Sequence, residues 1–340
     1  DSSMGMKTDI SWFTPQSLDF TGSSWRSAGY TEVSLQIFNA LLKKDQKVLW
    51  NSTGTKAHVN YCIPLYYQFP SAKVIGYTPW EFTVIPPAWI DNLNKCDQIW
   101  TTSSWCADAY KACNLDPQIR VVPHGISDEW AIEEREIGDK FYFLHVGGDL
   151  PRKNVRMVIK AFLELYEGDK DYHLILKATD AISNLKLDPS FDEVKNHPQI
   201  TIITQFLSED DLISLYHHSH CMLYPTQGEG FGLIPFQAIA TGMPTICTNL
   251  TGCTEYADLS MPLRAEFGQA SALDIDEQGL PYDEEILLAV PDYNHLLELM
   301  KETTDNYLSV KGKAMRGARY LHQFQSWDFV TDRILDFLEL

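Results

Sequence analysis

The chain has 340 residues, 44% of them hydrophobic and 12% aromatic, and carries a formal net charge of −19 at pH 7. That length predicts about two domains, each able to bury a core, and the composition excludes a disordered chain. The acidic balance, with a pI near 4.8, repels polyanions and excludes extensive non-specific nucleic-acid binding or broad contact with an anionic leaflet.

Seven cysteines (62, 96, 106, 113, 221, 247 and 253) are odd in number, lack a C-x-x-C spacing and mostly sit among apolar residues. They read as small buried hydrophobes in a reducing compartment, with no disulfide framework and no zinc site. Residues 230–254 lack charged side chains, but Gly, Pro, Thr and Asn interrupt them too often for a spanning helix. The opening Asp1-Ser-Ser-Met-Gly-Met6 reads as an artificial extension and is set aside. A soluble, cytoplasmic protein is the expectation.

In chain order, residues 10–13 read as a first strand, followed by a loop of small and polar residues over 14–29. Residues 30–44 carry apolar side chains at 33, 35, 37, 38, 41 and 42 and end in two lysines, which predicts an amphipathic helix with cations at its C-terminus. Strand, glycine-containing loop and helix form the first unit of a parallel α/β sheet. Short apolar runs recur at 47–50, 73–77, 98–101 and 119–122, between helical or irregular stretches at 87–94 and 104–113. Turn residues at 123–128 and the charged run Glu133-Glu-Arg-Glu136 mark a linker.

The second half restarts with a strand at 141–146, a loop at 147–154 and a helix at 155–166. Strands follow at 173–177, 200–203, 221–224 and 245–247, with helices at 210–218, 232–240, 294–303 and 310–324. A last periodic segment predicts a helix that returns to the first domain. The expected organisation is α/β, two Rossmann-like domains facing across a cleft: 7–127, 138–322, and a C-terminal helix in 326–340. Ligands in such sheets sit beyond the carboxyl ends of the strands.

The most informative stretch begins at Tyr224 and ends at Gly242. An apolar strand runs into a glycine-rich turn (Gly228, Gly230, Gly232) with one carboxylate, Glu229, and then into a helix opening with little side-chain bulk. Backbone N–H groups at a helix start lack intrahelical partners and the dipole is positive there, so such a loop can cradle an anion. Glycines alone also make ordinary tight turns.

Here the residues resemble a known family. Val146-Gly-Gly-Asp-Leu-Pro-Arg-Lys-Asn154 is similar to the opening of the C-terminal domain in family 4 retaining glycosyltransferases of the GT-B fold. Glu229-Gly-Phe-Gly-Leu-Ile-Pro-Phe-Gln-Ala-Ile-Ala-Thr-Gly-Met-Pro-Thr-Ile246 resembles that family's E-x7-E signature and its sequel. Ile119-Arg-Val-Val-Pro-His-Gly-Ile126 resembles its interdomain hinge, and the stretch from Gly76-Tyr-Thr-Pro-Trp-Glu81 to Ser104 resembles a bacterial subset. These motifs occur in the family's order.

The resemblance implies transfer of a sugar from a nucleotide-diphosphate sugar to a glycan or small hydroxyl acceptor, with retention and without a metal or other cofactor. Charge developing on the leaving diphosphate then needs fixed cations and N–H donors. Arg152 and Lys153 are the candidates for the cations. Glu229 is expected near the donor sugar, while Gly230, Phe231, Gly232 and Leu233 supply backbone to the diphosphate. The signature's second glutamate, which accepts from the ribose hydroxyls, is here Gln237; its amide oxygen can still accept, at a loss of about 1 kcal/mol. Gly147 and Gly148 open the domain's first loop, with Gly148 where many members carry arginine and Arg152 as its substitute. In the first domain Arg26 and Gly29 face donor and acceptor, and Glu81 is a candidate general base or sugar contact. His124 sits at the hinge and Lys177 at a strand end within reach of phosphate.

Trp80, Trp89, Trp100 and Trp105 read as core and rim aromatics. His217, His218 and His220 read as packing or surface residues, and Lys311, Lys313, Arg316 and Arg319 as a solvated helix face. Two other readings stay open: a catalytically silent nucleotide- or glycan-binding protein of the same fold, and a glycosyltransferase acting on modified DNA bases. A nicotinamide-dependent enzyme is disfavoured, since neither first-strand loop gives G-x-G-x-x-G with an acidic residue about twenty positions on.

Overall fold

The computed structural model of the chain describes residues 9–15, 29–147, 151–178, 188–269 and 286–339. Two six-stranded parallel sheets dominate it. The first contains β1 (Asp9–Phe13), β2 (Lys47–Trp50), β3 (Ala57–Tyr61), β4 (Lys73–Tyr77), β5 (Gln98–Thr101) and β6 (Gln118–Val121), in the spatial order β2-β1-β3-β4-β5-β6. Helices α1 (Gly29–Lys43), α2 (Ile90–Asn94) and α3 (Ser104–Lys111) connect these strands. The second sheet contains β7 (Phe141–Val146), β8 (Tyr172–Lys177), β9 (Ile200–Ile203), β10 (Cys221–Tyr224), β11 (Thr245–Thr248) and β12 (Met261–Leu263), ordered β12-β11-β10-β7-β8-β9.

That second order reverses direction between β7 and β10, so the loops leaving these two strands splay apart and open a crevice at their carboxyl ends. Both loops singled out in the sequence leave strands at this switch point. Helix α4 (Val155–Tyr166) follows the first loop and α7 (Leu233–Ala240) the second, with α5 (Ser190–Val194) and α6 (Glu209–His217) between them.

The strands of the second sheet are near-continuous apolar runs because both faces are covered. Phe143 points into a cluster with Val158, Phe162 and Leu174, while its neighbour Leu144 points to the opposite face with Met222, Tyr224 and Phe236. The chain ends in α8 (Tyr293–Asp305), α9 (Tyr307–Phe324) and α10 (Trp327–Leu338). Trp327, Val330, Ile334 and Leu338 of α10 share a core with Ile10, Trp12, Val33 and Ile37 of the first sheet. Lys44 donates to Asp332 at 2.8 Å and Gln98 Nε2 to the Phe337 carbonyl at 2.9 Å. The last helix thus belongs to the first domain's core, as its apolar period predicts.

Two features escape the sequence reading. Strand β3 is buried throughout, yet alternates apolar residues with His58 and Asn60. His58 Nδ1 lies 3.0 Å from Ser11 Oγ, and Asn60 Nδ2 donates to the Gln68 carbonyl at 3.0 Å, so the polar side chains are satisfied inside the sheet. The antiparallel pair β13 (Ala265–Gln269) and β14 (Leu287–Pro291) lies outside both six-stranded sheets.

The charged run at 133–136 is not a loose tether. Arg135 is 3% exposed and donates to the carbonyls of Ser219, Glu133, Thr241 and Tyr216 and to the Thr241 hydroxyl, all within 2.9 Å. Burial pulls its pKa down to about 10, but the guanidinium stays charged at neutral pH. Removing it would strand several buried carbonyls at once. Arg135→Met is therefore expected to cost about 3 kcal/mol or more, read as a lower midpoint in urea unfolding; an unchanged midpoint would show that the linker is not anchored this way.

Candidate functional site

The loop after β7 passes through Gly147, at φ 123°, into a short 3-10 turn, Pro151–Lys153. A Cβ on Gly147 would come within 3.2 Å of the Lys153 stem, so glycine lets the loop fold over that side chain. Asn154 then takes a left-handed conformation and its Nδ2 donates to the Pro225 carbonyl at 3.0 Å. The Gln227 N–H donates to the Arg152 carbonyl at 2.8 Å, and Arg152 Nη1 to the Gly228 carbonyl at 2.6 Å. These bonds hold the two loops of the switch point together.

Glu229 lies at their junction, 7% exposed, beside Arg152 and Lys153, each 8% exposed. Its Oε1 accepts from Lys153 Nζ at 2.6 Å, Tyr224 OH at 2.8 Å and Thr226 Oγ1 at 3.0 Å, and Arg152 Nη1 lies 3.4 Å away. Burial alone would raise the Glu229 carboxyl; the charges of Lys153 and Arg152 outweigh it and bring the pKa down to about 2. The group is ionised at neutral pH. Arg152 Nη2 also lies 3.7 Å from Glu81 Oε1 on the facing domain, so the cations meet carboxylates from both walls.

The glycine-rich turn serves two purposes. The N–H groups of Gly230 to Ile234 donate to no backbone carbonyl among the described residues, leaving a row of donors at the start of α7. The same glycines also admit the first domain. A Cβ at Gly228 would fall 2.8 Å from the Glu81 carbonyl oxygen, and one at Gly230 would fall 2.6 Å from Pro79 Cβ. Thr102 Oγ1 and Cys106 Sγ hydrogen-bond the Gly230 carbonyl at 2.9 and 3.2 Å. Gly232 is left-handed at φ 88°, with Tyr256 OH 2.4 Å from where a Cβ would be.

These residues border a cleft cavity of about 870 Å³ between the sheets. Of the residues expected at the site, Gly29, Glu81, His124, Arg152, Lys153, Lys177, Glu229, Gly230, Phe231, Gly232, Leu233 and Gln237 line it. Gly147 lies behind Lys153. Arg26 and Gly148 lie outside the described residues. Lys177 is buried, and its ammonium donates to the Ala178 carbonyl. His124 Nε2 lies 2.8 Å from Tyr61 OH and its ring meets Phe231 edge-on; burial lowers its pKa to about 3, so it is neutral. Gln237 Nε2 donates at 3.2 Å to Oε1 of Glu32, on α1 across the cleft.

Sequence reasoning missed Tyr224, Thr226 and Glu32. The hydroxyls at 224 and 226 lie five and three residues before Glu229, a polar spacing a helix-or-strand reading passes over. The three histidines bind backbone: His217 the Ala131 carbonyl, His218 the Ser214 carbonyl, and His220 both the Tyr142 N–H and the Glu136 carbonyl. Trp80, Trp89 and Trp100 are buried, and Trp105 is half-buried.

Residues 127–259, which hold the second-domain loops, match the family described as Glycosyl transferases group 1. The serotype-specific mannosyltransferase WbdA of Escherichia coli is 30% identical over 118 residues, 34% of this chain and 14% of that protein. The O-antigen chain mannosyltransferase RfbU of Salmonella typhimurium is 26% identical over 161 residues, 47% of this chain and 44% of that one. The chain thus spans less than half the length of these curated relatives. Sucrose-phosphate synthase from Thermosynechococcus elongatus superposes with a TM-score of 0.72 at 13% identity, covering 98% of both chains, a likeness of fold. The architecture of two Rossmann-like domains across a cleft is the GT-B fold.

Because Glu229 titrates below its ordinary value of 4.5, its pairing stabilises the fold above that pH and is lost as pH falls toward 2. Urea unfolding of the protein and of Glu229→Gln at pH 5 and pH 3 is expected to show the stability difference between them shrinking by on the order of 2 kcal/mol at the lower pH. A difference independent of pH would contradict the buried ion pair.

Proposed function

We propose that this protein is a retaining, metal-independent glycosyltransferase that moves a sugar from a nucleotide-diphosphate sugar to a hydroxyl acceptor. The observation carrying this reading is that Arg152, Lys153 and the N–H groups at the start of α7, which donate to no backbone carbonyl among the described residues, lie at one end of the cleft. The family match over 127–259 supports it, and the mannosyltransferase names of both relatives put nucleotide-activated mannose first among donors to test.

When the bond from the sugar's anomeric carbon to the phosphate oxygen breaks, negative charge builds on the departing diphosphate. Lys153 uses two of its three N–H donors on Tyr224 and Glu229 among the described residues, leaving one for that oxygen. Arg152 and the α7 N–H groups add fixed positive potential in a site largely screened from water, where such interactions gain strength. Held ionised by its cations, Glu229 is unsuited to donate a proton at neutral pH. Its part is to orient Lys153 and Arg152 before the charge develops. Glu81, on the opposite wall 3.7 Å from Arg152 Nη2, is our candidate to accept the proton of the acceptor hydroxyl as that hydroxyl attacks from the face the diphosphate leaves.

In a transfer assay with UDP-, GDP-, ADP- and dTDP-sugars, Lys153→Ala is expected to lower kcat/KM at least about tenfold. Glu229→Ala is expected to lower kcat about tenfold with KM no higher, because it removes orientation while freeing the cations for phosphate. Circular dichroism checks that both variants are folded. Unchanged turnover in both would refute the site assignment, and proton NMR showing an inverted anomer would refute retention.

A further inference from the structure

The antiparallel pair β13 and β14 belongs to neither six-stranded sheet, yet it reaches both walls of the cleft. In such a pair every second N–H of a strand faces its partner and the others point away. Leu287 and Ala289, two residues apart on β14, use the outward N–H groups. The Leu287 N–H donates to Thr83 Oγ1 at 3.1 Å, and the Ala289 N–H to the Gln227 carbonyl at 2.8 Å. Thr83 comes two residues after Glu81 on the first domain, and Gln227 two residues before Glu229 on the second. One strand edge thus holds the two segments whose carboxylates flank Arg152.

Packing anchors this arm to the first domain. Ile286, just ahead of β14, is 3% exposed and belongs to the apolar cluster that contains Phe13, Trp80, Phe82 and Ile85. On β13, the Phe267 ring stacks on Trp105 of α3 with centroids 6.4 Å apart. Apolar burial is non-directional and fixes only that the arm lies here; the two hydrogen bonds, being directional, fix its register against both walls. The receiving segments are themselves tied down. The Trp80 indole N–H donates to the Val84 carbonyl at 2.7 Å, closing residues 80–84 into a loop with Glu81 inside it, and the Gln227 N–H is bound to the Arg152 carbonyl.

We propose that β14 is a brace that sets the position of Glu81 relative to Arg152 and Glu229, with Thr83 as the positioning residue on the first domain's wall. This rests on the reading of Glu81 as the base for the acceptor hydroxyl. That hydroxyl must meet its base and the cations of the leaving diphosphate at the same time, and a misplacement of about 1 Å between such groups is costly to turnover. Thr83 acts through the backbone of 81–83 and touches no reactant. The donor end is held separately, because Arg152 also donates to the Gly228 carbonyl and Lys153 to Glu229. Loss of the Thr83 hydroxyl therefore slows turnover and spares nucleotide binding.

The test compares, in the full chain, Thr83→Val, which keeps the shape and removes the hydroxyl, with Thr83→Ser, which keeps the hydroxyl. Nucleotide release from UDP-, GDP-, ADP- and dTDP-sugars is measured with methyl α-mannoside as acceptor, UDP and GDP binding by calorimetry, and amide hydrogen exchange by NMR. Thr83→Val is expected to lower kcat about fivefold with UDP and GDP affinity unchanged, and Thr83→Ser to restore most of it. The Leu287 amide, protected in the unmodified protein, is expected to exchange at least about fivefold faster in Thr83→Val, while Ala289 keeps its rate. A Leu287 amide that exchanges as fast as an exposed loop in the unmodified protein, or an unchanged kcat in Thr83→Val, would overturn the brace. So would a nucleotide affinity that falls as far as turnover does, which is the mark of a general loss of structure. No nucleotide release by the unmodified protein from any of these donors would overturn the glycosyltransferase reading and the positioning of Glu81 with it, whatever the exchange rates.

Discussion

A carboxylate buried to the extent of Glu229 is tolerable only if opposite charge is brought to it, and that requirement organises the crevice end of the second domain. Desolvation of a lone carboxylate costs several kcal/mol. Lys153 and Arg152 offset that cost, but only if the loops leaving β7 and β10, some 76 residues apart in sequence, are held in contact. The bonds from Gln227 to Arg152, from Arg152 to Gly228 and from Asn154 to Pro225 provide that contact. Once the loops are joined, the start of α7 and its N–H groups face the cleft with two cations beside them.

The same constraint extends to the other domain. Because Gly228 and Gly230 carry no side chain, residues 79–81 lie directly on the turn, and Thr102 and Cys106 bind the Gly230 carbonyl. The Ser104 N–H donates to Glu255 Oε1 at 2.6 Å, and the Leu287 N–H to Thr83 Oγ1 at 3.1 Å, adding contacts around the cleft. With α10 built into the first domain's core and Arg135 fixing the linker to the second, the chain crosses between domains at two anchored points. The glycine turn is therefore a seat for the facing domain as well as the proposed anion cradle, so the packing between the domains and the geometry around Glu229 share the same backbone.

Much of this was legible in the sequence, for physical reasons. Switches from an apolar strand run to helical period placed β7, α4, β9 and β10 within a residue of their observed ends, and the period of α10 disclosed its apolar face. The glycine spacing and the pair Arg152-Lys153 marked out the residues that meet around Glu229. What stayed hidden depends on three-dimensional partners. Strand β3 carries His58 and Asn60, whose cost of burial vanishes only once Ser11 and Gln68 satisfy them. Arg135 sits in an acidic run that looks solvated, and its carbonyl partners come from α6, α7 and their flanks. Glu32 resembles an ordinary carboxylate at a helix start; its meaning comes from Gln237 across the cleft, 205 residues away.

The most direct measurement is a crystal structure of the protein with a nucleoside diphosphate bound. The terminal phosphate is expected against Lys153 Nζ, Arg152 and the N–H groups that open α7, with Glu229 still paired to Lys153. A diphosphate seated elsewhere in the cleft, or Lys153 turned away from it, would refute the proposed donor site.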